Sequence, residues 1–211
     1  MRNKFDGQLK LLNDEMVQMC NMIQEAIHDT VEAFFDQDIV KAEQIMNDDQ
    51  AVDQKQKTIE NICFQLLIQQ QPVARDLRNI TAALKMVTDM ERIGDHAADI
   101  SEITVSMGKN DQVAKFDHIK NMATETMLML NHSIEAFVER DKEKADKVIA
   151  HDDIVDDLFD QAKNDIIDMI REEPNAGEYA TDLLMVAKYF ERIGDHATNI
   201  AEWVLFSMGK H

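Results

Sequence analysis

The 211-residue sequence contains few residues that interrupt helices, with only two prolines and six glycines. Two cysteines, Cys20 and Cys63, are too few for a disulfide-rich scaffold or a zinc site built on thiolates. No apolar run approaches the length of a membrane span, and the first residues lack the apolar centre of a signal peptide. These absences argue against a disulfide-stabilised secreted domain and a membrane-inserted protein, so we expect a cytoplasmic protein.

Positive charge is also scarce in this chain. Lysine and arginine together number 22 against 41 aspartates and glutamates, which gives a formal net charge of −19. Such an excess of negative charge repels phosphate backbones and anionic membrane surfaces, so we expect no binding to nucleic acid. The apolar content of 45% nevertheless indicates a chain that folds around a core.

Helical periodicity runs through almost the whole sequence. Apolar residues recur at steps of three and four on both sides of Pro72, and no segment shows the alternation of a strand. Short connections between the helices make neighbouring helices antiparallel. The sequence therefore predicts an all-α protein of six long helices. They span 3–35, 38–70, 73–107, 113–138, 141–172 and 177–208.

The two halves of the chain repeat one another. The heptapeptide Glu-Arg-Ile-Gly-Asp-His-Ala occurs at 91–97 and again, letter for letter, at 191–197. A period of about 100 residues is too long for the unit of a solenoid. We predict a tandem duplication of a three-helix bundle, with halves 1–109 and 110–211 and a boundary near 108–115. Other matched positions are Pro72 with Pro174, Gly94 with Gly194, Gly108 with Gly209, and Asp49-x-x-x-Asp53 with Asp152-x-x-x-Asp156.

Acidic residues occupy helix positions that should face the core. Asp49 lies between Ile45 and Val52 on the apolar row of the second helix. Glu91 continues the apolar row of the third helix, one turn after Val87. Acids are rarely buried unless they are paired, so these positions call for an explanation.

Counting from the turn at Pro72 brings the acids of the first half together. Asp53 and Glu91 are each 19 residues from Pro72, and Asp49 and Asp95 are each 23 residues from it. Because both helices rise by about 1.5 Å per residue, each pair should lie at one level of the hairpin. We predict that four carboxylates meet in each half of the chain: Asp49, Asp53, Glu91 and Asp95 in the first, and Asp152, Asp156, Glu191 and Asp195 in the second.

Four carboxylates gathered in a core need protons, basic partners or cations to neutralise them. One guanidinium per cluster, from Arg92 or Arg192, cannot balance four acids. An all-oxygen ligand set suits hard cations such as Fe(III), Mn, Mg or Ca, so we predict that these eight residues are metal ligands. The alternative is that the acids form a solvated face that keeps the helices soluble.

The repeated heptapeptide also contains a glycine and a histidine whose roles we predict. A glycine inside a helix costs about 1 kcal/mol relative to alanine, so Gly94 and Gly194 must leave room for the cluster or for a neighbouring helix. His96 and His196 lie about 140° round the helix from the glutamates. We therefore expect these histidines to support the site or the core rather than to bind the metal.

With the repeated heptapeptide and the spaced aspartate pair one helix upstream, the sequence resembles the PhoU family over essentially its whole length. The segment Gln71-Pro72-Val73-Ala74-Arg75-Asp76-Leu77-Arg78 adds to this resemblance. The resemblance implies two similar three-helix bundles, with the eight acids above as ligands of multinuclear metal clusters, iron among the candidates. The cluster Arg75-Asp76-Leu77-Arg78 has no counterpart in the second half, so a partner contact through it would be asymmetric.

The resemblance also implies a function. It is that of a non-enzymatic negative regulator of the phosphate-starvation response and of phosphate uptake. Such a protein would link the ATPase subunit of a phosphate ABC transporter to a membrane sensor histidine kinase. A homodimer is the self-assembly that we expect.

Two other functions stay open from the sequence. One is a ferritin-like metal store or oxidase, which needs Glu-x-x-His on two helices, whereas only Glu25-Ala26-Ile27-His28 fits that pattern here. The other is a metal-free scaffold whose acidic faces bind basic partners. The sequence shows no convincing nucleophile, triad or phosphate-binding glycine loop, so we expect no catalytic residues.

Overall fold

A computed structural model describes residues 2–69, 72–108 and 116–209 as six α-helices. None of these residues lies in a strand, and the predicted all-α architecture is confirmed. The predicted helix start at 113 and the part of the predicted boundary at 109–115 lie outside the described residues. The helices are α1 (Arg2–Asp36), α2 (Ile39–Gln69), α3 (Ala74–Met107), α4 (Asp117–Glu139), α5 (Lys142–Glu172) and α6 (Gly177–Ser207).

The first turn of each half has the same local structure. Gln37 and Arg140 adopt positive φ angles of 54° and 56°, which reverse the chain after α1 and α4. The following aspartate then caps the next helix: Asp38 accepts from the backbone N–H of Lys41 at 3.1 Å. Asp141 accepts from the N–H groups two and three residues later at 2.9 and 3.3 Å. These side chains satisfy N–H groups that have no partner within the helix.

The second turn differs between the halves. In the first half, Pro72 and Val73 connect the chain to α3 without a helical turn. In the second half, Pro174–Ala176 forms a single 3₁₀ turn that leads directly into α6. Phe116 is not helical, so α4 begins at Asp117, later than the sequence predicts. The remaining ends lie within two residues of the predicted ones where the chain is described.

One continuous core runs through all six helices, and α3 and α6 pack against each other at its centre. Helix α3 also contacts α1 and α2, and α6 also contacts α4 and α5, so each central helix completes its own three-helix bundle. The apolar rows of the sequence supply this core, whose largest fully buried side chains include Phe34, Phe190, Met16, Met19, Ile59 and Leu66. In the described part of the chain, no helix combines the length and the apolar character needed to cross a membrane.

Candidate metal centres

The four predicted acids of the first half come together between α2 and α3, and we name them the first cluster. Carboxylate oxygens of Asp53, Glu91 and Asp95 all lie within 4.8 Å of one another. Asp49 is one helical turn before Asp53 and lies beside Gly94, where its Oδ1 would be 3.4 Å from an added Cβ. The hairpin register predicted from Pro72 therefore places these side chains at a shared site.

Partial burial and mutual repulsion disfavour the charged forms of these acids. Burial, followed by the negative charges of Asp95 and Asp53, raises the pKa of Asp49 to about 6. Burial also raises the pKa of Glu91, with a further contribution from Asp95 and an opposing one from the positive charge of Arg92. The first cluster thus holds negative charge at an energetic cost, which a bound cation would relieve.

One oxygen of Glu91 has no hydrogen-bond partner in the described part of the chain. Its Oε2 is buried, and Arg92 Nε is 3.6 Å away, which is too long for a hydrogen bond. The guanidinium instead donates from Nη1 to Asp95 Oδ2 at 2.9 Å, and its side chain is 55% exposed. A buried acceptor that nothing satisfies is a position where a metal ion fits chemically.

The second cluster consists of the corresponding acids between α5 and α6: Asp152, Asp156, Glu191 and Asp195. Asp152 is half-buried, whereas Asp156 and Asp195 are exposed. Loss of hydration still raises the pKa of each aspartate, and neighbouring carboxylate charges add to this, while Thr198 opposes it at Asp152 and Lys188 at the other two. Lys188 Nζ donates a hydrogen bond to Glu191 Oε1 at 2.5 Å and lies 2.5 Å from Oε2, although Oε2, like that of Glu91, is buried and accepts no hydrogen bond from the described residues. The Thr198 hydroxyl donates to Asp152 Oδ1 at 3.2 Å. The second cluster therefore has polar partners from its own helix that the first cluster lacks.

Lys188 and Thr198 were missed by the sequence analysis, although a signal for them exists. At an offset of 100 residues they correspond to Thr88 and Ala98 of the first half. On α6, Lys188 lies about one turn before Glu191, and Thr198 lies about two turns after it. A position-by-position comparison of the two repeats would have shown that the surroundings of the two clusters differ.

Gly94 and Gly194 let the neighbouring helix approach closely, and the approach of α2 to Gly94 is closer than that of α5 to Gly194. A Cβ on Gly94 would lie 3.1 Å from Val52 Cγ1 and 3.4 Å from Asp49 Oδ1. On Gly194, the corresponding distances to Val155 Cγ1 and Asp152 Oδ1 would be 3.6 and 3.8 Å, ordinary contacts. Gly94 thus serves both roles that the sequence left open, because the same missing side chain admits α2 and the carboxylate of Asp49.

The two repeated histidines lie at the junction of the halves, where a network crosses between α3 and α6. The rings of His96 and His196 are 5.7 Å apart. Asp89 Oδ1 pairs with His196 Nδ1 at 2.9 Å and accepts from Asn199 Nδ2 at 3.1 Å. His96 is 8% exposed, with its Nδ1 3.3 Å from Asp99 Oδ2. This network, and Asp89 in particular, was not predicted from the sequence.

A second group of acidic and histidine side chains in the first half is already neutralised by a lysine. His28, Asp29 and Glu32 bring ligand atoms within 4.8 Å of one another near the end of α1. Lys41 Nζ lies 2.7 Å from Asp29 Oδ1 and 2.5 Å from Glu32 Oε2. Because this ammonium neutralises the two acids, the group gives no support to a Glu-x-x-His metal site at His28.

Comparisons with known proteins agree with the repeat and with the fold. The family model described as PhoU domain matches residues 16–104 and 119–204. A phosphate-specific transport system accessory protein PhoU homolog of Clostridium acetobutylicum is 38% identical over 208 residues, covering 97% of this chain and 94% of the relative. A protein of the same description from Aquifex aeolicus is 33% identical over 189 residues, covering 90% and 86%.

Solved structures share the whole architecture. The crystal structure of PhoU from Pseudomonas aeruginosa has a TM-score of 0.91 and 28% identity, covering 97% of this chain and 99% of that one. The phosphate transport system regulatory protein PhoU from Streptococcus pneumoniae has a TM-score of 0.87 at 28% identity, covering 97% and 96%. With two family-model matches, one in each half, and near-complete coverage, this chain belongs to the PhoU family.

Proposed function

We propose that this chain is a non-enzymatic regulator of phosphate uptake whose two carboxylate clusters hold hard metal cations. The regulatory part is supported by its relatives, which are described as accessory proteins of the phosphate-specific transport system. The metal-binding part is supported by the eight acids in two clusters, and above all by the buried Oε2 atoms of Glu91 and Glu191, neither of which accepts a hydrogen bond from the described residues. Fe(III), Mn and Mg all fit a donor set made only of carboxylate oxygens.

The role of the bound cations would be structural and electrostatic. Each cluster joins two helices of one bundle through acids that repel each other at neutral pH. A cation bound between Asp53 on α2 and Glu91 on α3 would convert this repulsion into a bond between the helices. Metal binding would therefore stabilise the folded chain by an amount that grows with the logarithm of the free cation concentration once this exceeds the dissociation constant.

Metal analysis of the purified protein tests the ligand assignment. We expect the wild-type protein to carry metal, and Asp49→Asn combined with Glu91→Gln to lower the content by the share of the first cluster. The control variant Asp14→Asn with Glu43→Gln removes two charges at exposed positions and should leave the content unchanged. An equal metal content in the wild type and the cluster variant would refute the assignment.

The proposed regulation is negative and acts on uptake. Cells that lack this chain should accumulate phosphate under phosphate-replete conditions, where intact cells restrict uptake. Radiolabelled phosphate uptake in the deletion strain, with and without a plasmid copy of the chain, measures this directly. Unchanged uptake in the deletion strain would contradict the regulatory proposal.

The partners in this proposal are the ATPase subunit of a phosphate ABC transporter and a membrane sensor histidine kinase. Co-purification of each with tagged chain from membranes solubilised in mild detergent tests the two contacts separately. Recovery of the ATPase subunit without the kinase would restrict the proposal to the transporter. A homodimer remains a further prediction, which light scattering of the purified chain can check.

Two other functions would change the outcome of these experiments. Oxygen consumption with Fe(II) by the purified chain would favour a metal oxidase or store of the ferritin type. Undiminished stability and partner binding after complete metal removal would favour a metal-free scaffold. Neither has a specific observation in its favour, since Lys41 already neutralises the acids beside His28.

A further inference from the structure

We infer that the two carboxylate clusters are unequal cation sites. The first cluster binds a hard cation more tightly and exchanges it through a cavity of its own, whereas Lys188 holds the place of a cation in the second cluster. This inference rests on the proposed metal-binding function. It concerns the differences between the two repeats of one chain.

Lys188 is the principal difference between the clusters. Its ammonium lies 2.5 Å from both oxygens of Glu191, as a bound cation would have to do. The corresponding residue of the first half, Thr88, is exposed and donates its hydroxyl to the backbone oxygen of Leu84 in its own helix. A metal ion entering the second cluster must therefore displace an ammonium from Glu191, whereas in the first cluster Glu91 has no such partner among the described residues and the more exposed guanidinium of Arg92 hydrogen-bonds only Asp95.

The arginine of the repeated heptapeptide does not cancel this difference. Arg92 and Arg192 occupy matching positions, but among the described residues only Arg92 pairs with an acid of its own cluster. Arg92 bonds Asp95 and is more than half exposed, which weakens its electrostatic effect. Each cluster thus has one basic partner: a guanidinium that is 55% exposed on Asp95 in the first, and an ammonium that is 37% exposed and contacts both oxygens of Glu191 in the second.

The arrangement of oxygens also favours the first cluster. Oxygens of Asp53, Glu91 and Asp95 lie within 4.8 Å of one another, and the described residues of the second cluster form no such group of three. Thr198 further engages Asp152 by a hydrogen bond, whereas the corresponding residue Ala98 has no donor. The first cluster is therefore closer to a ligand geometry before a cation binds.

Access to the clusters differs as well. A cavity of 280 Å³ beside the first cluster is lined by Asp49, Gly94 and Ala26. The corresponding cavity of the second half, of 290 Å³, is lined by Met129 in place of Ala26. Met129 is buried, and its sulfur would lie 3.8 Å from a Cβ on Gly194.

This methionine separates the second cavity from its cluster. Among the described residues that line that cavity, neither Asp152 nor Gly194 occurs. The first cavity, in contrast, reaches a carboxylate of the first cluster directly at Asp49. A hydrated cation can therefore approach the first cluster along a route that Met129 blocks in the second.

Titration of the chelator-treated protein with Mn²⁺, with free Mn²⁺ measured by electron paramagnetic resonance, tests the inequality. We expect two classes of site, of which Glu91→Gln removes the tighter and Glu191→Gln the weaker. Loss of the tighter class in Glu191→Gln, or equal affinities in the two variants, would overturn the inference and leave the proposed function intact. A wild-type protein that binds no Mn²⁺ would refute the metal-binding function and this inference with it.

Exchanging the distinguishing residue between the halves tests its cause. Lys188→Thr should tighten the weaker class about tenfold, and Thr88→Lys should weaken the tighter class about tenfold, because each changes one charge beside the acids. The controls Lys120→Thr and Thr181→Lys make the same chemical changes at exposed positions outside both clusters, and should leave both classes unchanged. Should Lys188→Thr fail to fold, Thr88→Lys at its exposed position decides the question. A tighter class unaffected by Thr88→Lys overturns the role assigned to the ammonium.

The exchange route has its own test. Ala26→Met places a methionine in the first cavity at the position that Met129 occupies in the second. It should slow the release of Mn²⁺ to a chelator in stopped-flow measurements. The affinity of the tighter class should change less than the release rate, because no ligand is altered. Release at the wild-type rate from Ala26→Met would refute the cavity as the route.

Discussion

Neutralising Asp49 should stabilise the protein when no metal is bound. In the folded chain, burial and the charges of Asp95 and Asp53 raise the pKa of this carboxyl from 3.8 to about 6. A group whose pKa is raised on folding favours the folded state below its unfolded pKa, and this contribution is lost as the pH rises through the folded pKa. Asp49→Asn should therefore remove a penalty that is complete above about pH 6.

The magnitude follows from the shift and from the exposure of the side chain. The difference between 3.8 and about 6 corresponds to about 3 kcal/mol at neutral pH, before solvent screening. Because Asp49 is only partly buried, we reduce this to about 1 to 1.5 kcal/mol. Metal-free Asp49→Asn should thus unfold with a free energy higher than that of the wild type by this amount at pH 7.5.

Urea denaturation in the presence of a chelator, at pH 7.5 and at pH 4.5, measures both the gain and its pH dependence. The gain should shrink between the two pH values, since the wild-type carboxyl takes up a proton as the pH falls through 6. Glu43→Gln, which removes a charge at an exposed position of the same helix, is the control and should give neither effect. Asp49→Asn that is less stable than the wild type at pH 7.5 without metal would refute the electrostatic account of the first cluster.

Three further predictions concern the helices around the clusters, each measured by urea denaturation. Gly94→Ala should destabilise the protein by about 1 kcal/mol, since strain of the new Cβ against Val52 at 3.1 Å exceeds the gain in helix propensity. Gly194→Ala, which meets only ordinary contacts, should stabilise it by up to about 1 kcal/mol. Equal effects of the two substitutions would contradict the closer approach of α2 to Gly94. A double-mutant cycle of Asp89→Ala and His196→Ala should give a coupling energy of about 1 kcal/mol, and additive effects would remove this pair from the junction. Asp141→Ala should cost about 1 kcal/mol through loss of the cap of α5, and an unchanged midpoint would show that the cap contributes nothing.

The parts of the structure that follow from local geometry could be predicted from the sequence. Two straight helices joined at Pro72 rise equally on either side, so counting residues places Asp53 beside Glu91 without knowledge of the fold. The repeated heptapeptide gave a second, independent copy of that arrangement. Helix ends were predicted closely where a capping residue such as Asp141 marks them.

Contacts between the halves could not be predicted in this way. Asp89 lies two residues before Glu91, about 200° round the helix, and so faces away from the cluster towards α6. A single sequence does not show which helix packs against the face of α3 that carries Asp89. The link between Asp89 and His196 depends on the packing of α3 on α6, which joins residues 107 positions apart.

The polar partners of the second cluster were missed for another reason. Lysine and threonine are ordinary residues on a helix, and only their hydrogen bonds to Glu191 and Asp152 give Lys188 and Thr198 their significance. The start of α4 was predicted too early because Phe116 and Ile119 are spaced as on a helix, whereas Phe116 itself is not helical.

The covalent fusion of two similar bundles has an evolutionary consequence. A protein assembled from two identical copies of one bundle would carry every substitution twice, and its paired sites would have to change together. Here, each copy can mutate by itself, so a lysine could arise beside Glu191 while the matching position beside Glu91 kept a threonine. Duplication within a single polypeptide therefore permits a division of labour that strict symmetry forbids.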